Sequence, residues 1–146
     1  MENRSTEDLS NILNNIKNKS ELQDYIDSSK SIYKNHKLTE YILKICESKG
    51  YNKSNIIRNA DINRTYGYQI LNGSRAPSRD KILQICIGNK FNVDETNRTL
   101  TLGKLGILYP KSPRDSAILF ALKHKLNLIN TNLLLEENNL TPIGDI

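Results

Sequence analysis

Apolar residues recur along the chain at three- and four-residue spacing, and no strand-length run alternates every second residue. That periodicity predicts an all-α fold. Leu38, Tyr41, Ile42, Ile45 and Cys46 follow the i, i+3, i+4, i+7, i+8 stripe of a helix with one buried face. They predict a helix over 39–49, with Gly50 suited to the position just past its end. Asn52 suits the N-cap of a short helix over 53–60, whose inward residues would be Ile56, Ile57 and Ala60. Asp61-Ile62-Asn63 breaks the pattern, and Asn63 then suits the cap of a second short helix over 64–72 that Gly73 ends. Pro77-Ser78 opens a helix over 78–88 carrying Ile82, Leu83, Ile85 and Cys86. Asn92 and Glu95 have the spacing of a capping box at the start of a helix over 93–102.

The flanks are helical in pattern too. A first helix begins at Ser5 or Thr6 and carries Leu9, Ile12, Leu13 and Ile16. A second piece begins at Ser20 with Leu22, Tyr25 and Ile26, and 28–37 reads as a connector rich in Ser and Lys. Beyond Leu102, a loop with Gly103, Gly106 and Pro110 leads to Ser112, a cap, and Pro113, which fits a first helical position. The helix over about 113–125 would turn Ile118, Leu119 and Leu122 inward. The last, over about 127–138, carries Leu128, Ile129, Leu133 and Leu134, with Leu128, Leu133 and Leu134 as its apolar row. The expected organisation is an N-terminal helical extension (1–36), a central domain (37–102) and a C-terminal helical hairpin (103–146), packed on the core or forming a dimer contact. Pro77 to Leu83 and Pro113 to Leu119 both set Arg-Asp just inside a helix start, followed by Ile-Leu. Capping chemistry alone explains that likeness, so it does not predict a repeat architecture.

Composition narrows the function classes. With 146 residues the chain has the length of one ordinary domain and is long enough to bury a core. Cys46 and Cys86, far apart and each inside an apolar helical pattern, read as buried free thiols in a reducing compartment. The first residues hold no apolar signal core, and no apolar run approaches the roughly 18 residues needed to span a bilayer, so a cytoplasmic protein without membrane contact is expected. His36 and His124 are the only histidines, and neither has a neighbouring Cys, Ser or acid pattern suited to catalysis. Gly103-Lys104-Leu105-Gly106 lacks the spacing of a phosphate loop. The expectation is a protein that is not an enzyme and uses no metal, cofactor or small-molecule ligand.

Charge placement changes the picture more than its total. The formal net charge is +5. Lys53, Arg58, Arg64, Arg75, Arg79, Lys81 and Lys90 against Asp61 and Asp80 place that whole excess between residues 53 and 90. A neutral body carrying one basic segment is the footprint of a polyanion-binding site.

Two short helices joined by a tight turn between Lys53 and Gly73 meet the requirements of a helix-turn-helix. The first helix has apolar residues to turn inward. Asp61 tolerates a left-handed backbone at the turn and Ile62 plugs it. The second helix has Ile70 inward and Arg64, Thr65, Gln69 and Asn72 outward. Here the sequence resembles the lambda-repressor-like, XRE-type helix-turn-helix family of phage repressors and bacterial regulators. The resemblance rests on Lys53-Ser54-Asn55-Ile56-Ile57, on Asn63 to Gly73, on Pro77-Ser78-Arg79-Asp80-Lys81-Ile82-Leu83 and on Phe91-Asn92-Val93-Asp94-Glu95. With the helix from Thr39 these make up the family's five-helix domain. The chain departs from the family pattern at three places: Ile57 stands where a small Ala is usual, Asp61 where Gly is usual, and Gly67 where a larger residue is usual. Gly67 would let the two helices approach closely, at a cost of about 1 kcal/mol in helix propensity.

The resemblance implies sequence-specific binding of double-stranded DNA by a transcriptional regulator. It places Arg64, Thr65, Gln69 and Tyr66 at base edges in the major groove, where Arg forks onto guanine and Gln onto adenine. It places Lys53, Arg75, Ser78, Arg79 and Lys81 at phosphates, and pairing into a homodimer is the family's habit. The alternative is a protein-interaction module, antitoxin-like or adaptor, that keeps the fold without DNA.

Overall fold

The computed structural model describes residues 6–24, 26 and 36–144. Its helices are α1 (Thr6–Asn14), α2 (His36–Ser48), α3 (Lys53–Asn59), α4 (Arg64–Leu71), α5 (Arg79–Gly88), α6 (Val93–Leu102), α7 (Pro113–Lys123) and α8 (Leu128–Glu137). Residues 19–24 are helical as well, and no strand occurs among the described residues. The all-α expectation holds. The expected start at Ser5, the contact of Tyr25 and the connector over 28–35 lie outside the described residues.

Most boundaries follow from capping chemistry. Asn52 accepts the Asn55 N–H at 2.8 Å while the Asn55 side chain accepts the Asn52 N–H at 3.1 Å, a capping box that starts α3. Asn92 and Glu95 do the same for α6, at 2.8 and 2.9 Å. Ser112 caps α7 with Pro113 at its first position. The widest difference is at α2, which opens at His36, so the end of the expected connector is helix; α1 ends at Asn14, before Ile16, and α7 at Lys123. Leu38, Ile42 and Cys46 form one buried row at i, i+4 and i+8, and burying Leu38 repays the extra turn before Thr39.

A single hydrophobic core joins α2 through α8. Leu38, Ile42, Ile56, Ile70, Leu71, Ile82, Leu83 and Leu100 are buried in it together with Leu108, Ile118, Leu122, Leu135 and Ile143 from the C-terminal part. The last helix keeps Leu128 packed on the core as expected but continues its inward row through Thr131 and Leu135 rather than Leu133. Thr131 and Leu135 are its buried residues, while Ile129 is 72% and Leu133 49% exposed. Thr131 can be buried because its hydroxyl donates back to the Asn127 carbonyl at 2.8 Å.

Buried polar side chains tie α3 onto α5. Asn89, fully buried, donates from Nδ2 to the carbonyls of Ile56 at 3.1 Å and Ile85 at 2.9 Å, and its Oδ1 accepts from Asn59 at 3.0 Å. Gln84 donates to the Ala60 carbonyl at 3.0 Å, anchoring the end of α3 where the chain turns. Cys46 and Cys86 are buried free thiols. Burial pushes both up to about 12, so each stays neutral and unreactive. Among the described residues no helix is long and apolar enough to cross a membrane, and no group of three or more His, Cys, Asp or Glu could hold a metal ion.

Candidate nucleic-acid interface

The turn between α3 and α4 is built from Asp61, Ile62 and Asn63. Asp61 adopts the left-handed conformation, with φ 55°. Ile62 then drops into the core at 8% exposure. Asn63 accepts the Tyr66 N–H at 3.1 Å and caps α4. The two helices meet tightly at Gly67, where a Cβ would stand 2.7 Å from Cγ1 of Ile57. The buried residues of α4 are Gly67, Ile70 and Leu71. That inward side leaves Thr65, Gln69 and Asn72, at i, i+4 and i+7, along the opposite face.

Each flank of that strip carries an aromatic ring beneath a cation. On one side the Arg64 guanidinium lies 5.6 Å from the centre of the Tyr68 ring. On the other, the Arg75 guanidinium lies 4.6 Å from the Tyr66 ring centre, and the Lys81 ammonium 5.9 Å from it. Both tyrosines also pack against the core, so their rings are fixed platforms. Arg75 reaches this place because Gly73, at φ 82°, turns the chain back on α4. The Ser74 and Arg75 N–H groups then both donate to the Gln69 carbonyl, at 3.0 and 3.2 Å. The Arg75 side chain closes the loop, donating from Nη1 to Oε1 of Gln69 at 3.2 Å.

Thus Arg64, Tyr66, Gln69, Arg75 and Lys81 gather on or beside the outer face of α4, and Thr65 lies exposed between its flanks. Lys53 is exposed at the first position of α3. The Ser78 hydroxyl is occupied as the cap of α5, accepting the Lys81 N–H at 3.2 Å.

Arg79 is placed otherwise than the resemblance implied. Its Nη1 and Nη2 grip Asp115 at 3.0 and 2.9 Å, and it also donates to the carbonyls of Gly106 at 3.0 Å and Ile107 at 3.2 Å. A guanidinium committed to four internal acceptors has little left for a phosphate. The partner arrangement is its mirror: Arg114 grips Asp80 at 3.0 and 3.1 Å. Each arginine of the two Arg-Asp helix starts therefore pairs with the aspartate of the other, clamping the starts of α5 and α7 together. The repeated Arg-Asp was the sequence signal for this clamp. Burial alone would raise both carboxyls. Arg114 and the Gly144 N–H hold Asp80 below its ordinary range, and Arg79 and the Tyr109 N–H do the same for Asp115.

Comparison of the chain with family models, with curated proteins and with solved structures finds no match.

Proposed function

We propose that this protein binds double-stranded DNA in a sequence-specific manner and acts as a transcriptional regulator of the bacterial or phage type, with α2 to α6 as a lambda-repressor-like helix-turn-helix domain and α4 as its recognition helix. One observation carries the reading. The outer face of α4 is a polar strip of Thr65, Gln69 and Asn72, bordered on both sides by cations held over tyrosine rings. Side chains of these types on one exposed helix offer the donors and acceptors that base edges in the major groove require. Of the cations at the border, Lys81 suits the phosphate row beside that groove, while Arg64 has the fork that a base edge takes.

In this reading Arg64, Thr65, Gln69 and Tyr66 face bases. Lys53 and Lys81 face phosphates, with the amide groups at the Ser78 end of α5. Arg79 leaves the phosphate set and serves the clamp to α7. The experiment is selection from randomised duplexes with the full chain at physiological salt. A recurrent motif supports the proposal. Binding that ignores sequence and vanishes with salt reduces α4 to a general polyanion surface. No binding at all makes the protein-interaction module the better account.

A further inference from the structure

We infer that Gln69 and Arg75 act as one unit that recognises guanine, with Tyr66 as the residue that positions it; this rests on the DNA reading proposed above. Gln69 alone would suit adenine, because adenine needs an acceptor for its amino group beside a donor for N7. In this chain the acceptor is already engaged: Oε1 of Gln69 takes the Nη1 proton of Arg75 at 3.2 Å. The assignment of that amide is forced, since Nε2 in its place would set donor against donor. With one lone pair of Oε1 taken, the pair offers a surplus of donors, the Nε2 hydrogens of Gln69 and the remaining N–H groups of Arg75. Guanine presents two acceptors, O6 and N7, side by side in the major groove, and it is the base a forked donor fits.

Charge for a phosphate is already supplied beside the same ring by Lys81, 5.9 Å from its centre. An arginine fork fits phosphate as well as guanine, so selectivity of the position for one base is what separates the two roles. Arg75 is oriented three times over. Its backbone N–H is held by the Gln69 carbonyl at 3.2 Å, its guanidinium by the Gln69 side chain, and its face by the Tyr66 ring at 4.6 Å. Fixing a planar fork in advance lowers the ordering cost of binding and gives it directional selectivity.

The test is duplex selection with the full chain, comparing wild type with Arg75→Ala, Arg75→Lys and Tyr66→Leu. Wild type should select a motif with one strongly required guanine. Arg75→Ala and Arg75→Lys should both lose that guanine preference by roughly tenfold or more while other motif positions persist. Tyr66→Leu should weaken the preference at that position alone. Adenine should gain there in Arg75→Ala, because Gln69 regains its free acceptor. The lysine variant is decisive because it keeps the charge and loses the fork. If Arg75→Lys restores both affinity and an unchanged motif, Arg75 only holds a phosphate and the inference is wrong. If wild type requires adenine at the position that Gln69→Ala erases, Gln69 reads alone and the inference is again wrong. If wild type selects no motif, the DNA-reading proposal itself fails and this inference falls with it.

Discussion

Ile57 occupies the space that a side chain at position 67 would fill: a Cβ on Gly67 would meet its Cγ1, Cγ2 and Cδ1 at 2.7, 2.8 and 3.0 Å. A large residue on α3 and none on α4 are therefore one exchange of volume across a single contact. The two helices stay in close contact because the space left open at Gly67 is filled from Ile57.

That exchange predicts strong coupling. Gly67→Ala should gain up to about 1 kcal/mol of helix propensity and lose about 1–3 kcal/mol to overpacking, because a β-branched isoleucine on a helix has few rotamers to retreat into. Ile57→Ala alone should cost about 2–4 kcal/mol through the cavity it leaves. The double variant should be more stable than the sum of the two losses by at least about 1 kcal/mol. Urea denaturation of the four proteins measures the cycle, and strict additivity would mean that the two residues do not share the space.

Local chemistry is what the sequence makes readable. The caps at Asn52, Asn63, Asn92 and Ser112 act within three residues, and the left-handed Asp61 follows from its own side chain and its place between two apolar runs. Features set by distant partners were readable at most as a pattern without its meaning, as the repeated Arg-Asp was for the clamp. Leu133 is as apolar as Leu135, and only the packing against α5 and α7 decides which one turns inward. Arg79 looks like any cation at a helix start until Asp115, 36 positions away, is seen to hold it. Arg75 carries no sign of its return to Gln69, which depends on the turn at Gly73 and a carbonyl that accepts two N–H groups.

The Arg79–Asp115 pair predicts a pH dependence confined to acid. The Asp115 carboxyl is held below its ordinary range by Arg79 and the Tyr109 N–H. A group whose folded pKa is depressed contributes stability above its unfolded pKa, about 3.9 for Asp, and loses it as pH falls through the folded value. Stability should therefore be flat from about pH 7 to pH 5 and fall below about pH 4. Asp115→Asn should lose about 1–3 kcal/mol at pH 7, since it leaves Arg79 short of its charge partner. Its stability curve should converge with wild type in acid. Denaturant melts across this range check the point, and parallel curves would show that the pair does not titrate with folding.

Association should be visible on the C-terminal hairpin. Phe120, at 50% exposure, edges a groove lined by Pro113, Ala117, Leu134 and Leu140, and Leu133 is 49% exposed on α8. A regulator that pairs would contact half-sites one DNA turn apart, about 34 Å. Sedimentation with a selected duplex should give two copies of the chain per duplex, and Phe120→Glu should lower that to one without unfolding the protein. A one-to-one complex of the wild type on the same duplex removes the dimer from the proposal.

Substitutions across the basic segment should separate into three groups. Gln69→Ala and Arg64→Ala remove groups proposed to meet base edges, so each should cost about 1–3 kcal/mol on the selected duplex and much less on a scrambled one. Lys53→Ala and Lys81→Ala remove charges proposed to meet phosphates, which repeat along any sequence. Each should weaken both duplexes alike and reduce the slope of log affinity against log salt by about one. Arg79→Ala belongs to neither group. Its guanidinium is spent on Asp115 and two backbone carbonyls, so its loss should lower stability and leave the salt slope unchanged. Titrations at several salt concentrations, paired with urea melts of the same variants, make the division measurable. Equal losses on both duplexes for Gln69→Ala and Arg64→Ala would show a charged patch with no reading face. A change of slope in Arg79→Ala, with stability intact, would return that residue to the phosphates and show that the clamp opens when DNA binds.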